Sequence, residues 1–231
     1  MKDVITILLP ALNEEEGVPQ VLAKLPREYF LERGYDTEVL VVDGHSTDRT
    51  LEIAAEMGAI CLRQPHYGKG DAVRHGMKHA KGKYLFMLDA DDTYPPKHLS
   101  TMLPILEDNK ADIVMGSRLN GHMHPGSMPK INKIGNHTIT SFANLLFSNG
   151  HKITDLCTGM WGFNKSALDT LTPQLNAHGF AIEAEMYAKS RKQGIRVAEI
   201  PIEYHRRLGP TKLTSFGDGA RIMMKLLGEK L

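Results

Sequence analysis

Two aspartates spaced two residues apart, Asp89 and Asp91, give the sharpest chemical signal in the sequence. Residues two apart in an extended segment point to the same side, so both carboxylates can face one cation. Carboxylate oxygens suit Mg²⁺ or Mn²⁺, which also keep water and phosphate oxygens as ligands. The alternative is an acidic helix cap, in which Asp91, Asp92 or Thr93 caps a helix near Lys97. The position directly after an apolar run, with a Gly-Lys-Gly loop nearby in sequence, favours metal binding.

Polar and acidic residues also follow three other apolar runs, in Pro10–Glu14, Asp43–Asp48 and Gly116–Arg118. A chance loop composition gives this pattern at one strand more easily than at four. Asp43 is placed to accept hydrogen bonds from a nucleoside, with an Asx turn as the alternative. The segment His66–Gly70 opens a helix, and its two glycines allow close backbone approach while the helix N-terminus and Lys69 favour an anion. An ordinary glycine turn is the alternative there.

Short apolar runs predict the strands that position these residues. They are Val4–Leu9, Glu38–Val42, Ala59–Arg63, Lys83–Leu88, Asp112–Met115 and Val197–Tyr204. Apolar residues at spacings of three and four predict helices at Glu15–Leu25, Thr47–Met57, Asp71–Ala80, Lys97–Glu107, Ile131–Phe147, Ile182–Gln193 and Phe216–Lys230. Ser46 or Thr47 is expected to cap the second helix. The alternation predicts an α/β fold with a doubly wound, mostly parallel sheet, whose ligands bind beyond the carboxyl ends of its strands.

Composition excludes several classes of protein. The 231 residues are 42% hydrophobic, enough for one domain with a substantial core. Lys plus Arg number 28 and Asp plus Glu 27, so no basic field points to a nucleic acid partner. Cys61 and Cys157 form no CxxC pair and are expected to be reduced thiols. The sequence begins directly with a strand and has no run of roughly 18 apolar residues, which predicts a cytoplasmic protein or one on the cytosolic face of a membrane.

Five motifs, taken in order, make the chain resemble glycosyltransferase family 2 with the GT-A fold. They are Pro10–Glu14, Val41–Gly44, Gly68–Gly70, Asp89–Asp91 and Gly116–Arg118. Within that family the chain is most similar to the polyprenyl (dolichyl) phosphate hexose synthases. Later segments agree, namely Asp155–Gly159, Gly179–Phe180 with Glu183, and Pro201 through Arg207 to Lys212 and Leu213. The resemblance covers essentially the whole chain.

The resemblance implies one domain over residues 1–231, with a nucleotide-sugar-binding half at 1–118 and a smaller acceptor-binding half at 119–231. It implies Asp89 and Asp91 as metal ligands, and a catalytic set of Asp91, Arg118, Arg207 and Lys212. The implied donor site comprises Pro10, Asn13, Glu14, Asp43, Lys69, Gly70, Asp89, Ala90, Asp91 and Arg118. The implied acceptor site comprises Asp155, Thr158, Glu183, Arg206, Arg207 and Lys212. The family often has Asp-Asp-Gly-Ser where this chain has Asp43-Gly44-His45-Ser46, which leaves the preferred base open.

The expected reaction is an inverting, metal-dependent transfer of mannose, glucose or N-acetylglucosamine from a UDP- or GDP-sugar to polyprenyl or dolichyl phosphate. A lipid phosphate, with a second pKa near ~6, is largely dianionic at neutral pH and needs cations to bind it, not a base. Arg206, Arg207 and Lys212 suit that task, whereas Asp155 and Glu183 are candidate bases for an alcohol acceptor. The alternatives are a transferase with a small soluble acceptor, a sugar nucleotidyltransferase and a non-catalytic nucleotide-sugar binder.

The last helix bears on membrane contact. From Lys192 to Leu231 there are eight Lys or Arg and four Asp or Glu. The apolar stripe of that helix is Ile222, Met223, Leu226 and Leu227, with Arg221, Lys225 and Lys230 beside it. Such a helix is predicted to lie on an anionic membrane, or to pack on the core or on a partner, either a membrane-anchoring protein or a second copy of the chain.

Two histidine pairs stand elsewhere in the sequence, His75 with His79, and His122 with His124 in the loop Gly121–Pro129. Neither pair has a third ligand at suitable spacing, so no transition-metal site is predicted.

Overall fold

The apolar runs form a single mixed sheet. The computed structural model describes residues 2–148, 150–209, 212 and 215–231. Within them the strands are β1 (Asp3–Ala11), β2 (Tyr35–Asp43), β3 (Ile60–Arg63), β4 (Tyr84–Met87), β5 (Ile113–Met123), β6 (Trp161–Asn164) and β7 (Val197–Tyr204). Their order across the sheet is β3-β2-β1-β4-β6-β5-β7. Only β6 runs antiparallel to its neighbours β4 and β5, and the other pairs are parallel.

Helices cover both faces of this sheet. They are α1 (Gly17–Ala23), α2 (Arg27–Glu32), α3 (Thr50–Glu56), α4 (Lys69–His79), α5 (Leu99–Glu107), α6 (Lys130–Phe147), α7 (Lys165–Leu171), α8 (Ile182–Lys192) and α9 (Ser215–Lys230). Helices α1, α2, α3 and α5 share one core with Ile5 and Ile7 of β1, while α4 and α6 to α9 share the other with Leu8. Strand β4 and most of β1, at the centre of the sheet, are buried on both faces, so their sequences read as continuous apolar runs.

The α/β fold and the six predicted strands are confirmed, with β6 added between β4 and β5. Strand β5 continues to Met123, through residues that the sequence assigned to a loop. The predicted division of the chain after residue 118 therefore falls within a strand and stays a prediction.

The predicted cap of α3 is wrong. The helix begins at Thr50, and its N-terminal flanking residue makes no side-chain capping bond. Ser46 Oγ instead accepts from the Asn13 amide at 2.9 Å, and the Thr47 amide donates to Asn13 Oδ1 at 2.8 Å. Both residues thus tie the end of β2 to the end of β1.

Helix α9 packs its stripe partly into the core. Ile222 and Leu226 are buried, and burying such a side chain stabilises the fold by about 1.5–3 kcal/mol. Met224 and Leu227 stay exposed on the same helix, as does Leu145 on α6. Among the described residues, no helix combines the length and the apolar character needed to cross a membrane.

Candidate active site

The site lies where the parallel strands end. Strand β6 runs the opposite way, so the chain enters it from the edge at which β1, β2 and β4 finish. The residues that follow β4 therefore meet the segment 155–160 that leads into β6. This arrangement brings together Asp89, Arg118 and Glu183 from three distant parts of the sequence, all of them lining one pocket.

Asp89 pairs with Lys69, the first residue of α4. Lys69 Nζ lies 2.6 Å from Asp89 Oδ1 and 2.7 Å from Glu183 Oε1 on α8. Burial opposes the charge on Asp89, but Lys69 together with Arg207 and Arg118 outweighs it and holds the pKa of Asp89 below its ordinary value. For Glu183 burial prevails over Lys69 and raises the pKa. The ammonium of Lys69 thus keeps Asp89 ionised.

Asp91 divides its two oxygens between a local turn and a distant cation. Oδ1 accepts from the Thr93 amide at 3.2 Å and from its hydroxyl at 2.6 Å, while Oδ2 lies 3.0 Å from Arg207. Burial raises the pKa of Asp91 and the charge of Asp89 raises it further, against the opposing effect of Arg207. The turn at Asp91 precedes α5 by several residues and does not cap it.

Gly159 forms the wall against Asp89. A β-carbon added there would lie 2.4 Å from Asp89 Oδ2, so the carboxylate has its position because residue 159 has no side chain. The Gly159 amide donates to the Tyr94 hydroxyl at 2.8 Å, which fixes this wall. Two hard carboxylates in such a cradle fit Mg²⁺ or Mn²⁺ by the chemistry of their donor atoms. Metal binding by Asp89 and Asp91 stays a prediction.

The loop after β7 reaches back to the end of β1. Arg207 lies 3.0 Å from Glu14 Oε1, and Lys212 bonds the same oxygen and the Asn13 carbonyl, the latter at 3.0 Å. Burial raises the pKa of Glu14, while Lys212 and Arg207 counteract it. Leu213, which also supported the resemblance, lies outside the described residues.

Arg118 is held by a buried carboxylate. Its Nε and one terminal nitrogen donate to the two oxygens of Asp155 at 2.7 and 2.8 Å, and its backbone amide donates at 3.0 Å. The guanidinium carbon lies 5.2 Å from the centre of the Tyr204 ring. Asp155 and Thr158 are fully buried and do not line the pocket. Their placement fits a structural role, in which Asp155 fixes Arg118, better than direct contact with an acceptor.

The predicted nucleoside residues cluster at the ends of β1 and β2. Asp43 is fully buried, and its Oδ1 accepts from the Ser46 amide at 3.0 Å. This local bond reaches three residues on, in place of the two of the Asx turn in the alternative interpretation. Pro10 is half-buried at the end of β1, and Ala90 is buried after β4. Their contact with a nucleotide stays a prediction.

The helix N-terminus at Gly68–Gly70 requires a correction. The amides of Gly70 and Asp71 donate to the His178 carbonyl, at 2.9 and 3.3 Å, instead of pointing to open space for an anion. A β-carbon on Gly70 would come within 2.3 Å of the Ala177 carbonyl oxygen, and Gly68 has φ +99°. The glycines therefore serve close backbone packing here, and Lys69 alone faces the acidic cluster.

A pocket of about 660 Å³ opens from this cluster. Its lining includes the charged side chains of Lys69, Asp89, Asp91, Arg118, Glu183, Arg206 and Arg207. It also includes residues of α6 and α9, several of them apolar, such as Ile131, Ile134, Ile139, Ile222 and Met223, and others polar, such as Asn132, Asn136 and Thr138. Its size is in the range of small-molecule sites, and one cavity joins a charged cluster to a largely apolar pair of helices.

The family model for glycosyl transferase family 2 matches residues 6–172, most of the chain. The chain belongs to this family. It is a glycosyltransferase, and it is similar to named relatives across nearly all of its length. It is 36% identical to the low-salt glycan biosynthesis hexosyltransferase Agl6 of Haloferax volcanii. That match covers 94% of this chain but only 51% of the length of Agl6. It is 33% identical to the dolichyl-phosphate hexose transferase of the same organism, over 95% of this chain and 91% of the relative.

A solved structure agrees on the fold of the glycosyltransferase. Glucosyl-3-phosphoglycerate synthase from Mycobacterium tuberculosis, in complex with Mn²⁺, UDP and glucosyl-3-phosphoglycerate, superposes with a TM-score of 0.78. The match covers 99% of this chain and 80% of that one at 19% identity. The GT-A fold is thereby confirmed.

Sequence reasoning missed Tyr94 and Tyr204 in this glycosyltransferase. Both line the pocket, and their rings meet edge to face with centres 5.1 Å apart. Burial raises the pKa of each hydroxyl. Tyr94 could have been found, because it lies only three residues after Asp91 in the sequence. Tyr204 could not, because it ends an apolar strand and its pattern indicates a core residue.

Proposed function

We propose that the enzyme transfers a hexose from a nucleotide-diphospho-sugar to a polyprenyl phosphate, using Mg²⁺ or Mn²⁺ bound by Asp89 and Asp91. The observation that carries the proposal is that one pocket is lined both by this charged cluster and by apolar side chains of α6 and α9, a lining that we call the apolar channel. A lipid phosphate combines the same two parts. The name of the dolichyl-phosphate hexose transferase relative supports this acceptor.

The donor site depends on the ionisation of Asp89 and Asp91. A divalent ion held there would neutralise charge on the departing nucleotide diphosphate. Lys69 keeps Asp89 ionised through its ion pair of 2.6 Å. Burial and the charge of Asp89 raise the pKa of Asp91, so a metal ion competes with a proton for this carboxylate. Glu14 and Asp43, at the ends of β1 and β2, are proposed to bind the nucleoside beside them.

The acceptor site supplies cations and apolar surface. Arg207 Nε is buried and has no hydrogen-bond partner among the described residues, so this guanidinium retains a donor for an arriving phosphate. Arg206 and Arg118 line the same pocket. A phosphate dianion needs no general base, and attack on the face opposite the leaving group inverts the anomeric carbon.

A soluble acceptor is the second candidate, because the structurally similar synthase carries glucosyl-3-phosphoglycerate as its ligand. If that acceptor is an alcohol, a base is needed. Glu183 suits the role better than Asp155, since Glu183 lines the pocket and burial raises its pKa. Both oxygens of Asp155 are already bound by Arg118.

Membrane contact is proposed for the surface beside the mouth of the pocket. Ile131, Ile134 and Leu145 on α6 are exposed, and so are Met224 and Leu227 on α9. Apolar side chains next to a lipid channel suit a protein that lies peripherally on a cytosolic membrane face. A partner protein or a second copy of the chain would cover the same residues.

The test is transfer of labelled hexose from UDP- and GDP-sugars, with Mn²⁺ or Mg²⁺, to detergent-dispersed polyprenyl phosphate or to 3-phosphoglycerate. We expect a lipid-linked product and none with the soluble acid. Asp89→Asn and Asp91→Asn should each lower the rate at least about 100-fold without loss of fold. Product on the soluble acid alone refutes the lipid acceptor, and wild-type rates in both variants refute the metal assignment.

Asp92→Asn is the matched control. Asp92 adjoins Asp91 in sequence but pairs with Lys24 at 2.5 Å, and its φ of 60° is one that asparagine tolerates. This variant should keep the wild-type rate.

Two exposed residues of α6 test the apolar channel. Ile134 lines the pocket, whereas Leu145, which is also exposed, does not. Ile134→Lys should raise the KM for the lipid phosphate about tenfold or more with an unchanged KM for the nucleotide sugar, because a charge is costly in an apolar channel. Leu145→Lys should change neither constant in detergent. Equal effects of the two substitutions would contradict the channel.

A further inference from the structure

A second cluster of side chains with metal-ligating atoms lies at the C-terminal ends of β5 and β7. One ligand atom from each of His124, Glu203 and His205 lies within 4.8 Å of those of the other two. The rings of His124 and His205 have centres 4.4 Å apart, and those of His122 and His124 are 5.0 Å apart. Four residues that can bind metal thus come from two segments about 80 positions apart in the sequence.

The parallel pairing of β5 with β7 creates this cluster. His122 lies opposite Glu203, and the His124 amide donates to the Tyr204 carbonyl at 3.0 Å. Side chains alternate along a strand, so Glu203 and His205 point to one side while Tyr204 points to the other. Tyr204 lines the pocket and the cluster residues do not. The cluster is therefore separate from Asp89 and Asp91.

The spacing suits an ion better than a direct bond. His205 Nε2 lies 3.5 Å from Glu203 Oε2, and this buried nitrogen has no hydrogen-bond partner among the described residues. Two ligands about 2.0–2.1 Å from a tetrahedral ion stand roughly 3.3 Å apart. The pair therefore needs little adjustment to share one metal.

The carboxylate is also held in place. Glu203 Oε1 accepts from Lys97 at 2.6 Å, and the Glu203 amide donates to His98 Nε2 at 3.0 Å. Lys97 fixes one oxygen and leaves Oε2 directed toward His205. Such outer contacts orient the ligands of metal sites, although the charge of Lys97 itself lowers the affinity for a cation.

We infer that His124, Glu203 and His205 bind Zn²⁺ or a similar transition metal, with His122 or water as the fourth ligand. Imidazole and carboxylate are ligands that Zn²⁺ accepts, in contrast to the all-oxygen set at Asp89 and Asp91. The bound ion would join the end of β5 to the end of β7, directly before Arg206 and Arg207. It would thus stabilise the start of the loop that carries these arginines.

The test is Zn²⁺ binding by the full chain after removal of metal with a chelator, measured by competition with a chromophoric chelator. We expect one tightly bound equivalent, and at least about a 100-fold weaker affinity in His124→Ala/His205→Ala, since loss of ligands exceeds the effect of outer-shell changes. Circular dichroism is used to check that each variant is folded. The single variant His124→Ala changes only an exposed residue, so it tests the site with little risk to the fold.

A matched control is available on α4. The rings of His75 and His79 are also 4.4 Å apart, but among the described residues no further His, Cys, Asp or Glu completes a cluster with them. His75→Ala/His79→Ala should bind Zn²⁺ like the wild type, as should Asp89→Asn/Asp91→Asn. Unchanged binding in the His124 and His205 variants, or binding lost only with Asp89 and Asp91, overturns the inference. Absence of Zn²⁺ binding to the wild-type chain overturns it as well.

Discussion

Gly159→Ala removes the space that the Asp89 carboxylate occupies. The new β-carbon would lie 2.4 Å from Asp89 Oδ2, and ordinary contact begins at 3.4 Å, so the carboxylate must retreat by about 1 Å. Metal sites tolerate only about 0.2 Å of change in ligand distance. The substitution should therefore act on Asp89 while leaving the sheet in place.

A displacement of about 1 Å at a reacting centre lowers rates about 100-fold. We expect Gly159→Ala to lower metal-dependent transfer by that factor and to weaken Mn²⁺ binding in calorimetry. The loss in unfolding temperature should be small, because the side chain that must move is 26% exposed and has room toward the pocket.

Gly162→Ala is the control for general damage to the sheet. Its β-carbon would meet the Phe86 ring at 2.7 Å, within the core of β4 and β6. It should lower the unfolding temperature more than Gly159→Ala and leave the Mn²⁺ affinity of the folded protein unchanged. The reasoning is refuted if Gly159→Ala binds Mn²⁺ and turns over like the wild type.

Two further predictions concern buried charges. Asp155→Asn leaves Arg118 buried without its carboxylate and should lower the free energy of unfolding by about 3–5 kcal/mol in urea titrations. Asp169→Asn, which breaks an exposed ion pair, should lower it by less than about 1 kcal/mol. Mn²⁺ affinity should fall as the pH is lowered from neutral toward 3.8, the ordinary aspartate value, because the raised pKa of Asp91 lets it take up a proton within that range. Calorimetry in buffers of different ionisation enthalpy should show protons released on binding in that range. Because the pKa of Asp89 is lowered, Asp91 is the ligand that gains the proton first, and a pH-independent affinity would contradict its raised pKa.

The sequence predicted the parts of the fold that carry strong local signals. Strands such as Val4–Leu9 are apolar throughout because both faces are buried, and the structure extends this one only slightly, to Asp3–Ala11. Strand β6 was missed because its residues, Trp161–Asn164, are few and contain a glycine. Helix α7 was missed too, although Asn164 is a residue type that often caps helices. In the structure its side-chain oxygen accepts from the Ala167 amide at 2.8 Å.

Seven of the predicted site residues line one pocket, but the contacts among them could not be predicted. The ordered motifs indicated Lys69 and Glu183, yet nothing local shows that one ammonium joins Glu183 to Asp89. The histidines at 122 and 124 were set aside for lack of a third ligand near them in sequence. The further ligands that we propose, Glu203 and His205, stand at the end of β7, and only the register of β5 with β7 brings them close.

The reversed direction of β6 makes the chain between β5 and β6 a detour that leaves the sheet and returns to it at the same edge. A segment with both ends anchored side by side can change in length or sequence while the strands beneath keep their pairing. Helix α6, which forms one wall of the apolar channel, lies within this detour. Exchange of residues 125–148, which leaves Asp155 and its bonds to Arg118 in place, for the matching segment of a relative should therefore alter which acceptor is used and leave the donor side untouched.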